Sequence, residues 1–154
     1  MIRNGETRKL VSQIEVAVFA HSTENTGKVK EAVKNLLLKP MSAEFKVGHV
    51  KGHYGNPISL ITLTISNPTQ AYEAFMGIIS RLDEECKNRI AKTLKSRVDA
   101  KGNLYLRFDK QWAFKGKLQL KDEDPIRVKV KFRKTGDVAS VRGEISRYLT
   151  VEDG

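Results

Sequence analysis

Cysteine is nearly missing from this sequence: Cys86 stands alone. One thiol cannot form an intrachain disulfide, so the fold must hold without covalent staples, and the usage agrees with a reducing compartment. Long apolar runs are missing too. The longest, Val16 to Ala20 and Leu36 to Leu38, stop far short of the roughly 20 residues a membrane-spanning helix needs. Met1 to Lys9 is polar and of mixed charge, and no small-residue cleavage site follows an apolar stretch, so no secretory signal is read there. The expected location is the cytoplasm, with no membrane partner.

Acidic residues are scarce: 18 Asp and Glu stand against 28 Lys and Arg, a net charge of +10. A surplus of this size favours polyanions, because each phosphate contact releases condensed counterions. Signatures of catalysis are lacking. No phosphate-cradling glycine motif, nucleophile elbow or dinucleotide fingerprint occurs. His21, His49 and His53 have no metal-ligand spacing. Asp83-Glu84-Glu85 falls at a predicted helix start, where acids suit the dipole, and Asp122-Glu123-Asp124 reads as a polar turn. No enzymatic activity, cofactor or metal is therefore expected.

What the sequence does contain suits one compact domain of 154 residues, 40% of them hydrophobic. Period-two alternation predicts a strand over 11–20, and apolar residues at helical spacing predict a helix over 25–38 stopped by Pro40. Strands are expected over 43–51 and 58–65, joined by the turn residues Gly52 to Pro57. Asn67-Pro68 opens a second helix, and Asp83 caps a third that is either separate or continuous with it through a bend. A strand over 104–108 follows, then a helical turn near 109–115, a short strand at Leu118 and Leu120, and the strongest strand, 126–133. The fold class is α+β, a largely antiparallel or mixed sheet with helices on one face and the other open. Residues 1–133 are read as the domain. From 133 onward four basic residues balance four acidic ones, and 134–154 is read as an appendage with a short helix over Val138, Val141, Ile145 and Leu149.

Three features carry function. On the last strand Arg127, Lys129, Lys131 and Arg133 leave the face opposite Ile126, Val128, Val130 and Phe132. Four cations on one face repel unless something negative lies opposite. A phosphate backbone would supply that charge, and so would acids on neighbouring strands. Arg107 and Tyr105 extend the patch. In the loop Gly52-His53-Tyr54-Gly55-Asn56-Pro57, His53 and Tyr54 can stack on bases and Asn56 can hydrogen-bond; the same residues also suit a plain hairpin. In Asp109-Lys110-Gln111-Trp112, Trp112 offers a stacking platform and Lys110 and Gln111 offer phosphate and base contacts, while a lone Trp more often anchors a core.

Together Gly52-His53-Tyr54-Gly55-Asn56-Pro57-Ile58, Gly102 to Gln111, Gly116-Lys117-Leu118, Ile126 to Phe132 and the His21-Ser22-Thr23-Glu24 segment resemble an archaeal RNA-binding family described as predicted exosome subunits. The resemblance spans about residues 12–132 in the family's order. It implies an α+β fold like that of the ribosomal protein L-five family, and an RNA-linked role without an established reaction. It implies His53, Tyr54, Asn56, Arg107, Lys110 and Gln111 as binding residues. Trp112 and the tail after 133 depart from the family pattern. The resulting expectation is an RNA-binding accessory protein with RNA, structured or ribosomal, as partner and exosome subunits as associates. Arg107, Arg127, Lys129 and Lys131 would hold its phosphates. The alternative is a protein-interaction module in an RNA-processing or ribosome-related assembly, with the tail helix docking on a second copy, as a homodimer, or on another protein.

Overall fold

Strand β1 (Val11–His21) buries Ile14, Val16, Val18 and Ala20 and leaves the residues between them half-exposed, as the pleat requires. In this computed structural model, which describes residues 10–37, 45–52, 54–133 and 137–150, β1 is the centre of a five-stranded sheet. Helix α1 (Thr26–Leu37) follows, then β2 (Lys46–Lys51), β3 (Pro57–Ile65), α2 (Pro68–Arg81), α3 (Glu84–Lys92) and α4 (Leu94–Arg97). The chain continues through β4 (Asn103–Phe108), α5 (Lys110–Phe114), β5 (Ile126–Phe132) and α6 (Val138–Thr150). The sheet order is β2-β3-β1-β5-β4, and every pairing is antiparallel. The α+β class with helices on one face is as expected. No helix among the described residues is long and apolar enough to cross a membrane.

Local chemistry sets the breaks. Asn67 Oδ1 accepts from the Gln70 N–H (3.0 Å) with Pro68 in the first turn, which opens α2. Leu82 is extended (ψ 135°), and the Asp83 carboxylate accepts from the Cys86 N–H at 2.8 Å. The second and third helices are therefore separate rather than one bent rod. Arg81 closes the layer by donating to the carbonyls of Asn35 (2.9 Å) and Leu36, at the C-terminal end of α1. The Asp109 carboxylate caps α5 through the N–H groups of Gln111 and Trp112.

Two expectations are corrected. Leu118 and Leu120 do not form a strand: Leu120 makes one bridge to Phe108, and Leu118 is buried. Left-handed Gly116 (φ 87°) turns the chain too sharply to run alongside β4 for longer. The tail helix is not an appendage in its packing. Val141, Ile145, Tyr148 and Leu149 join the same core as the sheet, with Val138 packed against it. Phe75 sits edge-on between Phe132 and Tyr148, with ring centroids 5.4 Å apart in both pairs. The apolar face expected to dock on a second copy is thus used inside the chain.

The turn into β4 is organised by Asp99. Its carboxylate accepts from the N–H groups of Lys101 and Asn103, the Asn103 amide and the Tyr105 hydroxyl. Burial works to raise its pKa, and these hydrogen bonds outweigh burial and hold it at about 2.

Urea denaturation should show Ile145→Ala losing about 2–5 kcal/mol. Gly143→Ala should gain about 0.5–1 kcal/mol, because position 143 lies within a helix and a Cβ there meets nothing within 4 Å. Asp99 has a folded pKa of about 2 against an ordinary value near 3.9, so its contribution is complete above about pH 4 and fades as pH falls towards 2. Asp99→Ala should therefore flatten the acid limb of the stability curve in that window.

Candidate nucleic-acid interface

The pleat that sends even-numbered residues of β1 into the core sends odd-numbered ones to the uncovered face. Antiparallel register then aligns residues distant in sequence into rows across the strands. Arg107 lies opposite Arg127, Arg127 opposite Ala17, Ala17 opposite Thr62, and Thr62 opposite Lys46. The next row runs Tyr105, Lys129, Glu15, Thr64, and the third Asn103, Lys131, Gln13. A groove of about 900 Å³ crosses this face, with Glu15, Thr62, Tyr105, Arg107, Arg127 and Lys129 among its walls.

Its electrostatics are lopsided. Glu15 is shared by two lysines, with Lys129 Nζ at 3.6 Å and Lys131 Nζ at 3.9 Å. Among the described residues, Arg107 pairs only with the exposed Asp122, at 3.6 Å. Arg127 lies 5.6 Å above the Phe19 ring, and no carboxylate of the described residues is within ion-pair distance of it. Five cations (Lys46, Arg107, Arg127, Lys129, Lys131) thus face two carboxylates (Glu15, Asp122). Arg107 directly opposite Arg127 is a like-charge pair of the kind that destabilises a sheet. Tyr105 is held as a neutral phenol: burial and the hydrogen bond to Asp99 push its pKa up.

Sequence reading missed three participants. Glu15 sits on an outward position of β1, but only the pairing with β5 shows which cations it meets. Lys46 arrives from the opposite edge strand. Arg97, on α4, belongs to the same rim: burial lowers its pKa, and the neighbouring Arg107 and Arg89 cations push the same way against Asp122.

The other expected site residues divide. Tyr54 is 90% exposed at the tip between β2 and β3, and Asn56 is exposed beside it. The loop closes through Gly52 N–H to the Asn56 carbonyl (2.7 Å) and Gly55 N–H to the Gly52 carbonyl (2.9 Å). Gly55 is left-handed (φ 79°), which favours glycine, whereas a Cβ at Gly52 would crowd the Asn56 and Ile58 side chains, at 2.7 and 2.9 Å. His53 lies outside the described residues. The β2 and β4 edges are four strand spacings apart, about 19 Å, so this loop and Arg107 stand at opposite sides of the sheet.

Lys110 is engaged mainly within the chain. Its side chain is 10% exposed, and the ammonium donates to the Phe19 carbonyl (2.6 Å), Glu24 Oε1 (3.1 Å) and Asp124 Oδ2 (2.9 Å). His21 Nε2 lies 3.1 Å from Asp124 Oδ1. His21, Glu24 and Asp124 therefore gather ligand-type atoms, but the Lys110 ammonium supplies the positive charge there. Burial works to raise the pKa of Asp124, and the hydrogen bonds from Lys110 and His21 overcome it. Gln111 is exposed on α5, which packs against α1 and so lies off the open face. Trp112, expected in the core, is 44% exposed, because Ala113 takes the inward position of α5.

The chain matches known proteins over most of its length. A family model described as RNA binding covers residues 13–132. The RNA-binding protein PAB1135 of Pyrococcus abyssi is 31% identical over 124 residues, 78% of this chain and 80% of that protein. The crystal structure of AF2318 from Archaeoglobus fulgidus superposes with a TM-score of 0.78 at 31% identity, over 90% of this chain and 99% of its own. That of SSO0741 from Sulfolobus solfataricus gives 0.75 at 26% identity, over 90% and 98%. With its sheet, its basic open face and a family match over this span, the chain belongs to the archaeal RNA-binding family that includes these proteins.

Proposed function

We propose that the protein binds RNA, without acting on it chemically, by laying the sugar–phosphate backbone across the open face of the sheet. The observation that carries this reading is the pair Arg107 and Arg127, in direct register and, among the described residues, with only Asp122 in ion-pair reach of either. A phosphate between the two guanidiniums relieves their repulsion and accepts from both. Lys129 and Lys131 add two further contacts once they exchange Glu15 for phosphate. That exchange costs little, because half-exposed ion pairs contribute about 0–1 kcal/mol. At the far edge Tyr54 offers a ring to an unpaired base and Asn56 its amide; His53, next in sequence to Tyr54, is a further candidate for base contact.

The finer expectations of the resemblance are part of the proposal. Association with exosome subunits in the cytoplasm is tested by co-purification with the tagged chain. Likeness to the ribosomal protein L-five fold is tested by superposition on that fold.

Binding of structured RNA, measured at several salt concentrations, should weaken with a log–log slope of roughly −3 for four phosphate contacts. Arg127→Ala should reduce that slope by about 0.7–0.9 and lower affinity for all sequences alike. Glu15→Gln should bind more tightly than the parent, because it frees Lys129 and Lys131. A basic face that merely solvates the sheet predicts no change in any of the three.

A further inference from the structure

We infer that a second surface, built on α5 and the facing side of α1, stacks unpaired bases of single-stranded RNA on Trp112 and Phe114, with Lys28, Lys115 and Lys117 holding the flanking phosphates. The inference rests on the RNA-binding reading above and adds to it the class of RNA segment the protein selects.

Five residues make up α5, and Ala113, fully buried, is the one that anchors it. Its neighbours Trp112 and Phe114 are left 44% and 40% exposed, although burying rings of this size is strongly favourable. Cations surround both rings. Lys115 Nζ lies 5.4 Å and Lys117 Nζ 5.3 Å from the Trp112 centroid, and Lys28 Nζ lies 5.8 Å from that of Phe114. The backbone fixes this arrangement. Left-handed Gly116 reverses the chain, and the N–H groups of Lys115 and Lys117 both donate to the Trp112 carbonyl, at 3.0 and 2.8 Å.

Between α1 and α5 lies a hollow of about 320 Å³ with Lys28, Val29, Ala32, Phe114 and Lys115 in its walls; Trp112 and Lys117 stand outside it, joined to it through Lys115. Its one carboxylate, Glu24, is engaged by Lys110. None of the three lysines has a carboxylate within ion-pair distance among the described residues. The surface therefore presents flat π faces within reach of ammonium groups, one of which, Lys117, feels a carboxylate, Asp83, at longer range; this is the chemistry of an unpaired base and its phosphates. A duplex hides the faces of its bases, and an acidic peptide would satisfy the lysines but leave the rings without a flat partner. Stacking of a base outweighs an exposed cation–π contact, so an arriving base displaces an ammonium, which then turns to the phosphate. No residue of this hollow lines the sheet groove, so one RNA with a paired region beside an unpaired one engages both.

Trp112 is the only tryptophan in the chain, so intrinsic fluorescence reports this surface alone. The full chain is titrated with oligouridylate, a blunt RNA duplex, inorganic polyphosphate and polyglutamate. Oligouridylate should quench the emission, and the other three should leave it near the free value. By anisotropy, Trp112→Ala should weaken oligouridylate about tenfold and spare the duplex, whereas Trp112→Phe should keep most of the affinity. Arg127→Ala should weaken the duplex. Quenching by polyphosphate or polyglutamate equal to that by oligouridylate overturns the inference, the latter in favour of an acidic protein. Unchanged oligouridylate affinity in Trp112→Ala with duplex binding intact overturns this surface and leaves the sheet groove standing. Absence of binding to either RNA overturns both.

Discussion

Everything in this molecule hangs on the pleat of β1. It pairs with β3 on one side and β5 on the other, and its even-numbered residues are the floor of the core. Beyond the register shift between Val11 and Gln13, side chains alternate along β1, so committing Ile14, Val16 and Val18 to the helices commits Glu15 and Ala17 to the opposite face. The register with β5 then decides which cations surround Glu15. A slip of one residue would bury lysines and expose valines, so the core and the interface are two sides of a single constraint. Placing α6 on the helical side preserves this division, since the tail adds to the core without covering the basic face.

The interface is electrostatically unfinished. Ion pairs at half-exposed positions contribute little, and here they are also too few: one glutamate serves two lysines, and two arginines oppose each other across a ladder. By contrast, the His21, Glu24, Lys110 and Asp124 group closes on itself, with Lys110 bridging both carboxylates, His21 hydrogen-bonded to Asp124 and the lysine largely withdrawn from solvent. The two clusters have similar composition and opposite meaning. One locks the end of β1 to the turn before β5; the other leaves cations in excess of the carboxylates around them.

Alternation and helical spacing are local signals, and what they govern was legible in the sequence. The strand Ile126–Phe132, the caps at Asn67 and Asp83, and the hairpin at Gly52 to Pro57 follow from neighbouring residues alone. Contacts between distant residues were not legible. Lys110 reads as a free cation until Glu24, far back in the chain, is brought beside it. Glu15 reads as an ordinary outward acid until β5 is laid next to β1. Trp112 misled because size suggests an anchor, while on α5 it is Ala113 that turns inward and is fully buried. The tail showed its helical period but not its destination, since an apolar stripe fits the chain's own core as well as a partner. Leu118 and Leu120 had a strand's spacing, and the turn at Gly116 denied them a strand's length.

The outermost strand adds a last point. All six residues of β2 are exposed, including Val47 and Val50, on a ribbon that ends the sheet. Such a ribbon is a template on which a second polypeptide can extend the ladder, the first step towards fibrils. Lys46 and Lys51 stand at its two ends, so any identical ribbon approaching in register brings positive charge against positive charge. The protein thereby keeps a bare sheet margin in a crowded solution without covering it.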